Sequence, residues 1–155
     1  MNDRQNEADN ELYQQVVLDH NRNPRNWGVL VNPTHHAEGF NPLCGDKYNI
    51  GLNISHNGIV NELKFEGYGC AISKASASMM SSAIIGLRKE DIKTLFENFR
   101  NLVTGKSEVV FTESQLGKLR VFTGVSEYPA RVKCAMLAWH TLLSALNGDE
   151  NASTE

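Results

Sequence analysis

The chain has 155 residues, a formal net charge of −3, 41% hydrophobic and 21% charged residues. It is therefore long enough to bury about two-thirds of the surface of its unfolded form in one domain. The near-balanced charge offers no broad footprint for nucleic acid or an anionic membrane, and neither is expected as a partner. The first ten residues, MNDRQNEADN, hold no apolar segment, and no run of 18 uncharged apolar residues occurs. No signal peptide or membrane span is expected, and a cytoplasmic location is. Three cysteines suit a disulfide framework badly, so metal binding or thiol chemistry is the live alternative.

Residues 1–10 and 148–155 are polar and read as disordered tails around one domain over 11–147. Leu12, Val16 and Val17 recur at helical spacing until the Asn21-Arg22-Asn23-Pro24 stop, which predicts a short amphipathic helix. Tyr48, Ile50, Leu52 and Ile54 alternate with polar or small residues. Asn57-Gly58 offers a two-residue turn, and Ile59, Leu63 and Phe65 carry a second alternating run, which together predict a β-hairpin. Past Gly69 the period becomes helical, with Ala71, Ala75, Met79, Ala83 and Leu87, so a buried helix is expected from near Cys70. A further helix follows through Ile92, Leu95, Phe96, Phe99, Leu102 and Val103 to Gly105. Residues 106–128 carry no clear pattern. The last helix is expected to start at Pro129 and run through Val132, Ala135, Leu137, Ala138, Leu142 and Leu146 to Gly148.

The hairpin arithmetic locates a site. With Asn57-Gly58 as the turn, His56 pairs with Ile59 and every outward pair sums to 115, so Ile50 faces Phe65 and Leu52 faces Leu63. At the open end the same rule sets Gly45 opposite Cys70 and Asp46 opposite Gly69, which clusters Cys44, Asp46 and Cys70. Cys70 and Cys134 are each expected in or beside the first turn of a helix, where backbone N–H groups favour a thiolate. Arg131 and Lys133 flank Cys134 and add positive charge. Three thiolates and a carboxylate around Zn²⁺ leave a net charge of minus two and suit tetrahedral coordination. Against this, a free cysteine taken alone is more often a small core hydrophobe, and Asp46 could simply cap a turn. His35 and His36 read as a solvated loop pair. His140, six residues past Cys134, reads as core or cap. Met79, Met80, Phe96 and Phe99 read as packing. A cysteine hydrolase would need a histidine beside the nucleophile, and no pattern supplies one.

Three separated motifs carry a resemblance. Leu43-Cys44-Gly45-Asp46, Gly67-Tyr68-Gly69-Cys70-Ala71-Ile72-Ser73 and Pro129-Ala130-Arg131-Val132-Lys133-Cys134-Ala135 occur in the order found in the iron-sulfur cluster assembly superfamily of IscU and the NifU N-terminal domain. Lys133, where IscU proteins carry a histidine, and the long segment between Cys70 and Cys134 resemble its SufU-like branch. The resemblance implies an α+β fold, a small antiparallel sheet with helices packed on one face. It implies zinc held by Cys44, Asp46, Cys70 and Cys134, a cysteine desulfurase of the SufS type as partner, and Cys44 as persulfide acceptor. Arg131 is a candidate for site support or partner contact. The alternative it implies is a scaffold on which a labile Fe-S cluster is assembled on the same cysteines and passed to apo-proteins.

Overall fold

The computed structural model describes residues 3–105, 116–149 and 151–153. Its elements in chain order are α1 (Asp3–Arg22), β1 (His35–Asn41), β2 (Asp46–Ile54), β3 (Val60–Tyr68), α2 (Ala71–Ile84), α3 (Lys89–Thr104), a 3-10 helix (Gly117–Glu127), α4 (Pro129–Leu146) and β4 (Asn151–Ser153). Of the stretch 106–128 that the sequence leaves unassigned, the 3-10 helix occupies the end, and residues 106–115 lie outside the described residues.

The strands form one sheet in the order β3-β2-β1-β4. Both pairings of β2 are antiparallel, and β4 joins β1 in parallel, so the expected antiparallel sheet is a mixed one with a short added edge. Along β2, Asp46, Tyr48, Ile50 and Leu52 point inward and are buried, as are Leu63 and Phe65 of β3. The helices cover that inner face: α4 packs on β1 and β2, α2 lies beside it on β3, and α1 packs outside α2. This is the expected α+β arrangement.

Three expectations need correction. His35 and His36 belong to β1 and not to a loop. The inward residues of β1 are Ala37, Gly39 and Asn41, which give no apolar alternation, because α4 comes too close for larger side chains. A Cβ on Gly39 would stand 1.8 Å from Thr141 Oγ1. Helix α1 starts at Asp3, so residues 3–10 are helix where a tail was expected; Gln5, Glu7 and Ala8 are good helix formers and extend a helix anchored by packing at Val17. In the other expected tail, Asn151, Ala152 and Ser153 pair with Glu38, Gly39 and Phe40. That pairing uses backbone groups at an open strand edge and leaves no hydrophobic signature.

Helix α2 ends at Ile84, before Leu87, and buries more than alanines and methionines. Ser73, Ser76, Ser78 and Ser81 are all fully buried. Each has a partner: Ser76 Oγ donates to the Ala135 carbonyl (2.6 Å) and accepts from Trp139 Nε1 (3.2 Å), fastening α2 to α4. Ser78 Oγ meets His20 Nδ1 (2.7 Å) and the Arg25 N–H (2.8 Å), fastening α2 to the end of α1 and to the turn after it. Such satisfied hydroxyls avoid the penalty of burying unpaired polar atoms. Helix α3 buries Ile92, Leu95, Phe96, Phe99 and Val103 and stops at Gly105 (φ 74°), as its pattern predicts. Trp139 and Phe99 stack at 4.6 Å, and Phe122 of the 3-10 helix meets Phe99 edge-on at 5.7 Å. His140 lies edge-on to Phe96 at 5.4 Å, in the packing role expected for it.

Candidate metal centre

The β2-β3 register places the first half of the site. Pairs from Asn53 and Glu62 out to Lys47 and Tyr68 all sum to 115, as the sequence predicts. The tip is built differently. Ser55, not His56, pairs with Ile59, through Ser55 N–H to the Ile59 carbonyl and a turn closed by Gly58 N–H to the Ser55 carbonyl, both 2.9 Å. A register shift between Ile54 and Asn53 then restores the expected pairing. The wider turn and the bulge cancel, so the open end carries Asp46 next to Cys70 as the simpler geometry would.

There the Asp46 carboxylate, 3% exposed, accepts the Cys70 N–H through Oδ1 (3.2 Å), and its Oδ2 is 3.9 Å from Cys70 Sγ. Cys70 is the N-cap of α2, and its sulfur accepts the Ser73 N–H at 3.4 Å. Ser73 Oγ donates to the Cys70 carbonyl (3.0 Å), which leaves Tyr48 to donate its hydroxyl hydrogen to Ser73 (3.0 Å). Gly69 is required here: a Cβ would meet Ser73 Oγ at 2.4 Å, Tyr48 Oη at 2.7 Å and Asp46 Cγ at 3.0 Å.

Cys44 arrives from a second hairpin. Asn41 and Asp46 pair at the ends of β1 and β2, and residues 42–45 form the turn between them. Gly45 takes a positive φ of 78°, which a larger residue would adopt only with strain, and its N–H donates to the Asn41 carbonyl at 2.8 Å. Cys44 is exposed at this tip. Cys134 comes from α4, which carries it inward until it is 4% exposed. It is the sixth residue of α4, in the second turn and beside the first. Its sulfur is 3.7 Å from Cys44 Sγ.

The ligand atoms of Cys44, Asp46 and Cys134 lie within 4.8 Å of one another. The four sequence-predicted ligands come together as two pairs, Cys44 with Cys134 and Cys70 with Asp46, with Cys70 standing outside the tighter group of three. A tetrahedral zinc site with Zn–S bonds of about 2.3 Å has S···S edges of about 3.8 Å. The Cys44–Cys134 contact has the length of one edge of such a tetrahedron, and the donor set is one that zinc and iron-sulfur clusters both accept.

The electrostatics separate the thiols. The Cys70 thiol is held down to about 6, first by the neighbouring Cys134 thiol and then by the Ser73 N–H. Cys134 is pushed up, by sharing that proton with Cys70 and by burial. Burial also raises Tyr48.

Arg131 does not join the four. It is exposed on the first turn of α4, with its guanidinium 4.4 Å over the Tyr128 ring. Asn41 is a site residue that sequence reasoning missed. It is fully buried, its Nδ2 lies 3.9 Å from Cys134 Sγ, and its Oδ1 accepts the Leu43 N–H at 3.2 Å. Its place two residues before Leu43, in an Asn-Pro turn pattern, was the available signal.

The family model for the NifU-like N-terminal domain matches residues 12–135. The chain belongs to the NifU-like N-terminal domain family. Within this NifU-like group it is 41% identical over 143 residues to the zinc-dependent sulfurtransferase SufU of Bacillus subtilis (strain 168), covering 92% of this chain and 94% of that one. It is 40% identical over 135 residues to the iron-sulfur cluster assembly scaffold protein IscU of Thermotoga maritima, covering 87% and 92%. Its fold matches the crystal structure of an iron-sulfur cluster assembly scaffold protein for the SUF system from Fervidobacterium islandicum AW-1, with a TM-score of 0.80 and 34% identity over 88% of this chain and 97% of that one. Among the described residues of this NifU-like chain no helix is long and apolar enough to cross a membrane.

Proposed function

We propose that this chain is a cytoplasmic iron-sulfur cluster assembly protein that binds zinc through Cys44, Asp46, Cys70 and Cys134 and accepts sulfur on Cys44 from a cysteine desulfurase. The observation that carries the reading is the gathering of Cys44, Cys134 and the buried Asp46 carboxylate within 4.8 Å of one another, with Cys70 beside Asp46. The likeness to a protein named a zinc-dependent sulfurtransferase supports it. Bound zinc would supply charge that keeps the sulfurs deprotonated while muting their reactivity.

Cys44 is the acceptor because it stands exposed at a hairpin tip, whereas Cys134 is buried and Cys70 is tied to α2. Its thiolate attacks the terminal sulfur of the desulfurase persulfide. One S–S bond forms, the enzyme's breaks, and the enzyme's cysteine leaves as a thiolate. Arg131, exposed beside the site, serves as a partner contact. The acceptors downstream are the Fe-S assembly machinery or apo-proteins.

A second reading is favoured by the relatives named as scaffolds. On it, an Fe-S cluster is the cargo, built on the same cysteines and handed on. Metal analysis of anaerobically purified protein, with desulfurase turnover measured in its presence and absence, separates the two. About one equivalent of zinc and stimulation that Cys44→Ala abolishes support the transferase. Iron with acid-labile sulfide and no stimulation support the scaffold.

A further inference from the structure

The three thiols are placed for different tasks. Cys70 is committed to the start of α2, with its sulfur on the Ser73 N–H at 3.4 Å and beside Asp46 Oδ2 at 3.9 Å. Cys134 is buried on α4, with its Sγ 3.7 Å from Cys44 Sγ and with Cys70 as its other thiol neighbour. An exposed acceptor thiol in contact with a single buried thiol is the arrangement of an attacking and a resolving cysteine.

From this pairing we infer that Cys134 is a resolving thiol that converts a persulfide on Cys44 into free sulfide. The inference rests on the reading of Cys44 as the sulfur acceptor. Cys134 Sγ attacks Cys44 Sγ, the Cys44–Cys134 bond forms and the bond from Cys44 to its terminal sulfur breaks. The Cys134 sulfur is oxidised from thiol to disulfide level, the Cys44 sulfur stays at that level, and the terminal sulfur is reduced. It leaves as hydrogen sulfide, carrying its own proton and the one from Cys134. No further reactant enters that step, and a low-molecular-weight thiol or a dithiol protein returns the disulfide to thiols afterwards.

Bond formation needs the two sulfurs to close from 3.7 Å to the disulfide length of about 2.0 Å. The approach is assigned to the tip at residues 42–45, since open space lies beside Gly45 while α4 is held by Trp139 and its neighbours in the core. The step gives the oxidation state that cluster assembly consumes, sulfide and not persulfide. It also withdraws two of the four ligands, so metal release accompanies sulfide release.

The test loads the protein as purified with sulfur in two ways, from a desulfurase with cysteine and from inorganic polysulfide, and follows it without added thiol by methylene blue assay and peptide mass mapping. The expected result is sulfide release from the wild type with a Cys44–Cys134 disulfide about 2 Da below the reduced pair. In Cys134→Ser the persulfide on Cys44, about 32 Da heavier, is expected to persist with sulfide release at least about tenfold slower. A wild-type Cys44 persulfide that stays intact, or a disulfide mapping to Cys44 and Cys70, overturns the inference without use of any variant. The polysulfide arm bypasses the desulfurase, so failure of transfer from that enzyme alone counts against the proposed function and leaves this inference to be decided by the other arm.

Discussion

Asn41, at the base of the hairpin tip, reaches the buried Cys134 thiol, with Nδ2 3.9 Å from Sγ, while its Oδ1 accepts the Leu43 N–H at 3.2 Å. One carboxamide thus touches Cys134, a proposed ligand on α4, and shapes the turn that presents Cys44. Groups in this supporting position commonly change metal affinity about 10- to 100-fold when removed. Asn41→Ala is expected to weaken zinc binding by that range in a chelator competition while the fold is retained by circular dichroism.

Gly69→Ala tests the closeness of the site to its support. The added methyl would enter the space held by Ser73 Oγ, Tyr48 Oη and Asp46 Cγ, all within 3.0 Å of the Cβ position. Ser73 and Tyr48 are buried and bonded to each other and cannot simply turn away. Overpacking of this kind costs about 1–3 kcal/mol, so a lower denaturant midpoint and a weaker metal site are expected together.

Ser76→Ala removes the hydroxyl shared by the Ala135 carbonyl and Trp139 Nε1. The Trp139 N–H is then left buried without this acceptor, at a cost of about 1–3 kcal/mol. Urea unfolding should show that loss. Ser76→Cys should recover little of it, since a thiol is a weak hydrogen-bond partner.

Two half-buried histidines make stability depend on pH. His20 and His140 are both lowered from the ordinary 6.5, chiefly by burial and then by Arg25 and Arg100 respectively. The unfolded chain therefore binds protons that the folded chain refuses. The stabilisation is complete above about pH 6.5 and is lost as pH falls toward the folded-state values. The urea midpoint should drop between about pH 7.5 and pH 5.5, and His140→Phe should lessen that drop.

The sequence was most informative where a periodic pattern was anchored by a turn. The Asp46 and Cys70 encounter was legible from hairpin arithmetic even though the tip is wider than supposed, because the shift at Asn53 and Ile54 compensates. Cys134 could not be placed that way. Its position depends on how closely α4 lies on β1, which Gly39 opposite Thr141 permits and no local pattern reveals. β1 itself was hidden because its inward residues are small or polar, and β4 because it pairs through backbone alone. Burial of the α2 serines has no local signature either, since the burial of a hydroxyl is decided by the distant partner that satisfies it.

The most direct test of the central claim is peptide mass mapping of the three cysteines after anaerobic incubation with a cysteine desulfurase and cysteine, quenched by alkylation. The account predicts a gain of one sulfur, about 32 Da, on the Cys44 peptide first, and no loading of Cys70 or Cys134 in Cys44→Ala. Sulfur appearing on Cys70 or Cys134 with Cys44 absent, or no sulfur on any cysteine while the desulfurase turns over, would contradict it.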